Sequence, residues 1–197
     1  MFSGIVETTT TLIRTEKMNQ ASRLWVKRPT SFNDIKIGDS ICVNGACLTV
    51  EAFDQNEMQF CLGLETLTLL EKSLSYWERV PLNLERSLKF GDRVHGHLVT
   101  GHVDESVKIV LSQANGDVWD LAVEVSPEIA KFFWHKGSAC INGVSLTINK
   151  IESNFIFFCL IPETLKVTNL QYYKKNDFVN IESDYLAKAY IRSQGAP

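Results

Sequence analysis

Cysteines are the residues of this chain most able to act as nucleophiles, form disulfides or bind a metal. Their number is odd and no two are spaced as Cys-x-x-Cys, so neither a disulfide framework nor a zinc site is expected. We expect free thiols in a reducing compartment, which predicts a cytoplasmic protein, and we expect most of the thiols to be buried. The five positions are Cys42, Cys47, Cys61, Cys140 and Cys159.

Histidines form a second group with possible chemistry. On a strand, His95 and His97 would place two imidazoles on one face, and together with His102 they suggest a metal site. No fourth ligand stands at a suitable spacing. We therefore predict no metal and favour a loop of hydrogen-bonded histidines.

Carboxylates occur at repeated positions. Glu85 and Glu182 each stand two residues after an asparagine, and they are either catalytic groups or strand-end hydrogen-bond acceptors. We favour the structural interpretation for both. Asp184 has no acidic twin, because the residue 97 positions earlier is Ser87. That asymmetry favours a functional role for Asp184.

A tandem duplication relates these positions. Residues 40–50 and 138–148 share six identities in eleven positions, and residues 60–67 and 158–165 share six in eight, both at an offset of 98. A weaker pair, GIVE at 4–7 and GHVD at 101–104, is offset by 97. The chain therefore consists of two similar units, roughly 1–92 and 98–187.

Each unit is predicted to be mainly β. Asn44-Gly45 and Asn142-Gly143 supply the positive φ angles of tight hairpin turns, and apolar runs over residues 58–62 and 154–160 follow polar clusters. Short strands at this spacing favour one small closed barrel per unit, because closure removes exposed sheet edges. Short helices are expected within residues 65–74, 126–135, 163–170 and 185–193.

Composition excludes several classes of function. The 197 residues are 45% hydrophobic and 22% charged, with a formal net charge of −3 and no long charge run. Nothing therefore favours a nucleic-acid or membrane partner. The longest apolar run, residues 155–161, is far shorter than the roughly 20 residues of a membrane span, and the N-terminus lacks a signal-peptide pattern.

Six motifs, in one order along nearly the whole chain, carry a resemblance to a known family. They are MFSGIVE (1–7), NGACLTV (44–50), NLER (83–86), GHLVTGHVD (96–104), GVSLT (143–147) and LIPET (160–164). Together they resemble riboflavin synthase of the alpha-chain type. The resemblance implies an all-β fold of two tandem, similar six-stranded closed β-barrels with short helices and a C-terminal helix, assembled as a homotrimer. We expect an N-terminal lumazine-binding barrel over 1–97, a C-terminal one over 98–187, and a helix or tail over 188–197.

The same resemblance implies a transferase. Two molecules of 6,7-dimethyl-8-ribityllumazine bound at one site would give riboflavin and 5-amino-6-(D-ribitylamino)uracil by four-carbon transfer, the last step of riboflavin biosynthesis, without a cofactor. A reaction between two identical molecules needs two pockets that recognise one heterocycle, and a duplicated barrel supplies them.

The two pockets are expected to share binding residues and to differ in reactive ones. Twin positions with identical residues are Thr49 and Thr147, Glu65 and Glu163, and Thr66 and Thr164. Twin positions with different residues are Cys47 and Ser145, Ile5 and His102, and Leu70 and Thr168. At the last pair, the first pocket is expected to lack a hydroxyl contact.

The resemblance also implies the site residues. Catalytic positions would be Cys47, His102, Ser40, Thr147 and Asp184. A Cys47 thiolate would either add to ring carbon 7 or stabilise its adduct, and His102 would move protons. The N-terminal pocket would use Cys47, Leu48, Thr49, Cys61, Leu62, Gly63, Leu64, Glu65 and Thr66. The C-terminal pocket would use Ser145, Leu146, Thr147, Cys159, Leu160, Ile161, Pro162, Glu163 and Thr164. Both would be closed from the partner barrel by Gly4, Ile5, Val6, Gly101, His102, Val103 and Lys136, and the productive pair would form between neighbouring subunits.

Two other functions stay open from the sequence. One is a non-catalytic lumazine- or flavin-binding antenna protein, in which the barrels persist but the reactive positions are lost. The other is a barrel from a flavin reductase or an oligonucleotide-binding protein, for which neither a Gly-rich dinucleotide loop nor a basic aromatic stripe is found. The presence of Cys47, Thr49, Ser145, Thr147 and His102 favours the enzyme.

Overall fold

The first unit of the computed structural model, which describes residues 1–195, is a curled antiparallel sheet. The strand order is β1-β7-β4-β5-β6-β3-β2, and helix α1 (Leu64–Trp77) connects β6 to β7. The strands are β1 (Thr8–Thr10), β2 (Leu12–Lys17), β3 (Ala21–Lys27), β4 (Ser40–Val43), β5 (Ala46–Phe53), β6 (Glu57–Gly63) and β7 (Leu82–Arg86).

The two outer strands of this sheet are consecutive in the chain. Thr11 alone separates β1 from β2, and its carbonyl accepts a hydrogen bond of 2.9 Å from the Lys27 amide. The sheet therefore curls until both of its edges are formed by one stretch of chain. The first unit differs in this respect from the predicted six closed strands, since the first of those strands is broken in two.

The second unit is a closed six-stranded barrel in the order β10-β11-β12-β9-β8-β13. Its long strand β8 pairs with β13 at one end and with β9 at the other. In the first unit, the two equivalent pairings are divided between the separate strands β1 and β2. The predicted mostly-β architecture is thus confirmed. The strands are β8 (Glu105–Asn115), β9 (Val118–Glu124), β10 (Ser138–Ile141), β11 (Val144–Glu152), β12 (Phe155–Leu160) and β13 (Phe178–Ser183).

Helices are short and lie close to their predicted positions. Helix α2 has Ser126 as its N-cap residue and proline in its first turn, and α3 is followed by a 3₁₀ turn at Asn169–Tyr172. Of the predicted tail 188–197, the last helix covers the residues up to Ser193, and residues 196 and 197 lie outside the described residues. The helices are α2 (Pro127–Ala130), α3 (Pro162–Val167) and α4 (Tyr185–Ser193).

Two equivalent hairpins organise the molecule. Asn44 and Gly45 have φ angles of 47° and 85°, and Asn142 and Gly143 have 48° and 82°, so both turns adopt the predicted conformation with two positive φ angles. The turns meet back to back, and a Cβ added to Gly45 would lie 3.0 Å from the Gly143 nitrogen. The barrels therefore join at their hairpin turns.

Alternation along the hairpin strands separates core residues from residues on the outer face. Ile41 and Leu48 point into the core of the first unit, whereas Cys42, Cys47 and Thr49 lie on the outer face of the sheet. A third apolar cluster fills the seam between the units, and it consists of Phe2, Cys42, Val99 and Cys140 with Cys47 packed against it. The reactive positions predicted on the hairpins therefore face the seam and the solvent.

The histidine segment differs from one of the alternatives considered above. Residues 95 and 96 form a bend and His97 lies in a segment without regular secondary structure, so His95 and His97 do not share a strand face. Within residues 1–195, no cluster of three histidine, cysteine or acidic side chains is arranged to hold a metal ion. In the same part of the chain, no helix is long and apolar enough to cross a membrane.

Candidate functional site

Each hairpin is met by a segment from the other unit. The Cys47 amide donates to the Gly101 carbonyl at 2.8 Å, and the Ser145 amide donates to the Gly4 carbonyl at 2.7 Å. Val6 packs into the core of the second unit, and Val103 packs against the core of the first. The predicted closing segments 4–6 and 101–103 are therefore exchanged between the units.

Glycine is required at both crossing points. Gly4 has a φ of 75°, and a Cβ there would lie 2.6 Å from the Ser145 Cβ. Gly101 has a φ of 77°, and a Cβ there would lie 2.6 Å from the Cys47 Cβ. Backbone conformation and lack of space both exclude a larger side chain, because L-residues rarely adopt such φ angles.

Two buried carboxylates hold the exchanged segments. Glu85 accepts hydrogen bonds from the Ser3 amide and hydroxyl, both at 2.7 Å, and from the Gly4 amide at 3.0 Å. Glu182 accepts the same three from Thr100 and Gly101, at 2.7, 2.7 and 2.9 Å. Burial raises the pKa of both carboxyl groups, although these hydrogen bonds oppose the shift. The two glutamates are positioning residues, as the sequence favoured.

An asparagine network joins the units beside these carboxylates. The Asn83 side chain donates to the Asn142 carbonyl, and the Asn180 side chain donates to the Asn44 carbonyl, both at 2.8 Å. Asn169 joins this network without an equivalent from the first unit. Its side chain donates to Asn44 Oδ1 at 2.9 Å and accepts from Asn83 at 2.9 Å. The seam is therefore fixed by directional bonds between buried groups.

The first hairpin brings together three of the predicted catalytic residues. Ser40 lies opposite Thr49 across the strand pair, with half-buried Cys47 two residues before Thr49. His102 is exposed next to Gly101, which touches Cys47. Ser40, Cys47 and His102 thus share one neighbourhood.

The second hairpin holds the others. Thr147 is exposed opposite Ser138, and Asp184 follows the end of β13, which pairs with the same strand β10. The Asp184 carboxylate accepts a hydrogen bond of 2.9 Å from the Leu186 amide, so it caps helix α4. Lys136 is exposed and bonds through its amide to the Ile148 carbonyl of its own unit. Among residues 1–195, no hydrogen bond joins these side chains to Ser40, Cys47 or His102.

The sequence indicated either a metal ligand or a hydrogen-bonded loop histidine at His97, and the structure places this side chain against the second hairpin. Its Nδ1 lies 2.7 Å from the Ser145 hydroxyl, and its Nε2 is buried with no partner among the described residues. Burial lowers the pKa of His97, against the opposing effect of Asp184, so the ring is neutral near neutral pH. Comparison of the two repeats could not indicate this contact, because at an offset of 97 His97 has no counterpart in the first unit. Only its place in the motif GHLVTGHVD could have marked it.

Four of the predicted binding residues are leucines whose side chains point into the barrel cores. They alternate along the strands with residues that point outward, so only their backbone atoms can contact a ligand on the outer face. These are Leu48, Leu62, Leu146 and Leu160, which are 4%, 1%, 8% and 1% exposed.

The strand-to-helix junctions at the ends of β6 and β12 are open in both units. Cys61, Thr66, Cys159 and Thr164 are half-buried there. Exposed positions at the same junctions are Gly63, Leu64, Glu65, Ile161, Pro162 and Glu163, and Ile5 is exposed at 45%.

The difference between Leu70 and Thr168 does not bear on a pocket. Leu70 is fully buried in the first core. Thr168 is 3% exposed, donates to the Thr164 carbonyl at 2.7 Å and caps the 3₁₀ turn. The expectation that this difference removes a hydroxyl contact is therefore wrong, because both side chains support local structure.

Two cavities flank the first unit. One of about 790 Å³ borders Ser40, Ile5 and His95, and one of about 520 Å³ lies between the β2–β3 hairpin and α1. Both volumes suit a small-molecule pocket. Ser40 of the first hairpin borders the larger cavity, whereas Cys47 lines neither of the two.

Comparisons with known proteins agree with this arrangement. The family described as "Lumazine binding domain" matches residues 3–87 and again residues 100–184. Riboflavin synthase of Brucella abortus (strain 2308) is 36% identical over 196 residues, covering 98% of this chain and 97% of that protein. Riboflavin synthase of Escherichia coli (strain K12) is 34% identical over 198 residues, covering 97% and 90%.

A solved structure shows the same fold. LumP complexed with riboflavin superposes with a TM-score of 0.84 at 23% identity, covering 93% of this chain and 99% of that one. LumP complexed with 6,7-dimethyl-8-(1'-D-ribityl) lumazine gives a TM-score of 0.80 at 21% identity. The two family matches coincide with the two units, and the relatives extend along nearly the whole chain. The chain therefore belongs to the riboflavin synthase family, with two lumazine-binding domains in tandem.

Proposed function

We propose that this chain is an enzyme that converts two molecules of 6,7-dimethyl-8-ribityllumazine into riboflavin and 5-amino-6-(D-ribitylamino)uracil. The observation that carries the proposal is the pair of equivalent outer-face hairpins, one with Cys47 and Thr49 and the other with Ser145 and Thr147. The chain's relatives named riboflavin synthase support it. Two copies of one binding surface suit a reaction between two copies of one substrate.

Shared residues would bind the heterocycle, and different residues would set the roles of the two molecules. Thr49 and Thr147 are exposed hydroxyls at twin positions and suit ring carbonyls or ribityl hydroxyls. Cys47 would add as a thiolate to ring carbon 7 or stabilise the adduct, whereas Ser145 would not. Holding two rings face to face lowers the barrier of a bimolecular step by roughly 7 to 11 kcal/mol when orientation is good.

Proton transfer would use the exposed groups near the hairpins. The ring 7-methyl group is acidic for a carbon acid because its anion delocalises into the heterocycle, so a weak base suffices. His102 is exposed next to Gly101 and would accept this proton. Ser40, Thr147 and Asp184 would orient substrate at their respective hairpins.

We also propose that the active unit is a homotrimer in which the first hairpin of one subunit faces the second hairpin of its neighbour. The predicted catalytic residues fall into two groups, one at each hairpin of the chain. Helix α4 exposes apolar surface that suits self-association, through Tyr185, Leu186 and Tyr190, which are 49%, 60% and 67% exposed. Sedimentation of the purified protein should give the trimer mass, and replacing all three residues by Ser should lower that mass and the activity together.

The five free thiols support a reducing compartment, so we assign the protein to the cytoplasm. Cell fractionation with antibody detection tests this assignment. Recovery with periplasmic or secreted markers would contradict it.

The decisive experiment is to mix the purified protein with 6,7-dimethyl-8-ribityllumazine. We expect riboflavin absorbance to appear together with one equivalent of the pyrimidine product. Tight binding without conversion would indicate an antenna protein instead.

A matched pair of variants tests the covalent role. Cys47→Ala should lose turnover while still binding the lumazine. Cys47→Ser places the residue type of the twin position Ser145 in the first hairpin, so it tests whether a hydroxyl can replace the thiol. Unchanged turnover in Cys47→Ala would exclude a covalent adduct at this residue.

A further inference from the structure

Two cysteines face each other across the first hairpin. In the strand pair β4–β5, the Cα partner of Cys42 is Cys47, and both side chains lie on the outer face, in the cluster at the seam. Cys42 is 2% exposed, with its Sγ 3.4 Å from where a Cβ of Gly143 would stand. Cys47 is half-buried. A buried thiol thus stands directly beside a thiol that solvent can reach.

The strand geometry suits a bond between them. Next to a two-residue turn, Val43 and Ala46 form the hydrogen-bonded pair, so Cys42 and Cys47 form a non-hydrogen-bonded pair. The Cys47 amide donates outside the hairpin, to the Gly101 carbonyl. Cα atoms in such pairs lie about 4.5 Å apart. Disulfides span Cα separations of about 4.4 to 6.8 Å, so the hairpin can close one without moving its strands.

The second unit provides an internal comparison. There Cys140 lies opposite Ser145 in the same register, with the same burial at the seam. The backbone is equivalent, but one thiol is replaced by a hydroxyl. Only the first hairpin therefore has the two sulfur atoms that a cross-strand disulfide needs.

We propose that Cys42 and Cys47 form a redox-modification site, at which a peroxide converts the two thiols into a cross-strand disulfide. The Cys47 thiolate attacks the peroxide, becomes a sulfenic acid and releases hydroxide. The Cys42 sulfur then attacks the Cys47 sulfur, which forms the S–S bond and expels the second hydroxide. Two thiols and one hydrogen peroxide give one disulfide and two waters, with two electrons passing from sulfur to peroxide.

The local environment assigns different roles to the two thiols. Burial raises the pKa of Cys42 well above its ordinary value, and the nearby Glu85 and Glu182 carboxylates add to the shift. Cys42 therefore stays a protonated thiol in the resting protein and acts second. Cys47 is the thiol that the oxidant reaches first, because it is the one exposed to solvent.

Formation of the disulfide would stop the reaction, a consequence that rests on the proposed function. The sulfur of Cys47 would no longer be free, and the hairpin that carries Thr49 would be cross-linked. A thiol reductant would restore both, because no atom has been lost from the protein. The enzyme would thus sense peroxide at its own active site.

Peptide mapping tests the bond itself, independently of activity. Trypsin releases residues 37–72 as one peptide, which contains Cys42, Cys47 and Cys61. After treatment of the whole protein with hydrogen peroxide, this peptide should lose two hydrogen atoms. Fragment ions from cleavage between positions 42 and 47 should disappear, and two of the five thiols should become unreactive. A bond from Cys47 to Cys61, or one joining 37–72 to 137–150 through Cys140, would overturn the proposal.

Variants connect the bond to activity. Wild-type protein should lose most of its lumazine turnover in peroxide and regain it in dithiothreitol. Cys42→Ala should form no cross-link, and its loss in peroxide should persist in dithiothreitol because Cys47 is oxidised further. Cys140→Ala is the matched control and should behave as the wild type does. Reversible inactivation of Cys42→Ala would refute the proposal.

The failures of the two proposals are distinguishable. Absence of riboflavin formation with a normal cross-link refutes the proposed function alone. Normal turnover without a cross-link in the wild-type peptide refutes the redox site alone.

Discussion

Gly4 lies against Ser145 and Gly101 against Cys47, each on the hairpin of the opposite unit, and these contacts link single residues to the shape of the site. At both, the Cβ of any other residue would stand 2.6 Å from a neighbouring Cβ. The hairpin residue would have to shift, and the Cys47 or Ser145 side chain would shift with it. The two glycines therefore determine where the Ser145 and Cys47 side chains lie.

Gly101→Ala should lower stability by about 2 to 4 kcal/mol, since an unfavourable φ and a steric clash add together. Urea unfolding measures the change, and lumazine turnover should fall further than stability alone explains. Gly116→Ala is the matched control, because Gly116 has a φ of 58° with nothing within 4 Å of its Cβ. That control should cost only about 1 kcal/mol and keep full activity. Equal effects of the two substitutions would contradict the contact with Cys47.

Glu85→Gln should destabilise the protein by about 1 to 3 kcal/mol, because the new amide donor would face the Gly4 amide. The variant should also flatten the pH dependence of stability. The raised pKa of Glu85 means that its stabilising contribution is complete below the unfolded value, near 4.5, and is lost as pH rises through the folded pKa. Urea midpoints across this range measure both effects. An unchanged pH slope would show that Glu85 does not titrate with a raised pKa.

At the scale of single residues, the sequence predicted twin positions better than contacts. The offset of 98 aligned Cys47 with Ser145, and the structure places both at equivalent points. It could not reveal the bond between His97 and Ser145, because those residues are 48 positions apart and His97 has no twin. It also did not show that the Leu70 and Thr168 side chains are buried, since burial depends on what packs around a helix.

The elements that join the two units are the asparagine network and the exchanged segments 4–6 and 101–103. Asn169 connects the 3₁₀ turn of the second unit to Asn44 and to the Pro81 carbonyl of the first, at 2.9 and 2.8 Å. This turn has no equivalent in the first unit. There the longer helix α1 provides Ser73, whose hydroxyl donates a hydrogen bond to the Asn180 side chain of the second unit. The seam therefore combines a symmetric set of bonds with one asymmetric anchor on each side.

Asn169→Ala should cost about 2 kcal/mol, because it leaves the Pro81 carbonyl and Asn44 Oδ1 without that donor. In a double-mutant cycle with Asn83→Ala, the two changes should be coupled by about 1 kcal/mol or more. Asn115→Ala is the control, since Asn115 makes an exposed bond to Asp120 and should change stability by less than about 0.5 kcal/mol. Additivity of the Asn83 and Asn169 changes would show that the network does not act as a unit.

Turns and helices were predicted well where a short stretch of sequence determines them. Asn-Gly turns fixed both hairpins, and the pattern over residues 185–193 matched helix α4. No local sequence pattern indicated the break between β1 and β2 at Thr11 or the bend at 95–96. The family resemblance predicted that residues 4–6 and 101–103 lie against the opposite barrel, but no local pattern showed that Val6 and Val103 pack on the opposite cores.

On the scale of the whole molecule, the two units are interlocked as well as joined by a linker. A specific protease site placed after Phe90, which is fully exposed, should be cut without separating the halves. Size-exclusion chromatography should show both fragments in one peak, because the exchanged segments and the asparagine network still hold them. Elution as two separate species would show that the linker supplies the association.

The crossing of the two segments also constrains how the repeats can diverge. A side chain at position 4 is tolerated only if the second hairpin makes room for it, and one at position 101 only if the first hairpin does. A substitution at position 4 or position 101 would therefore need a compensating substitution in the hairpin of the other repeat. The two halves therefore constrain each other at positions 4 and 101, where neither repeat can gain a side chain without a change in the other.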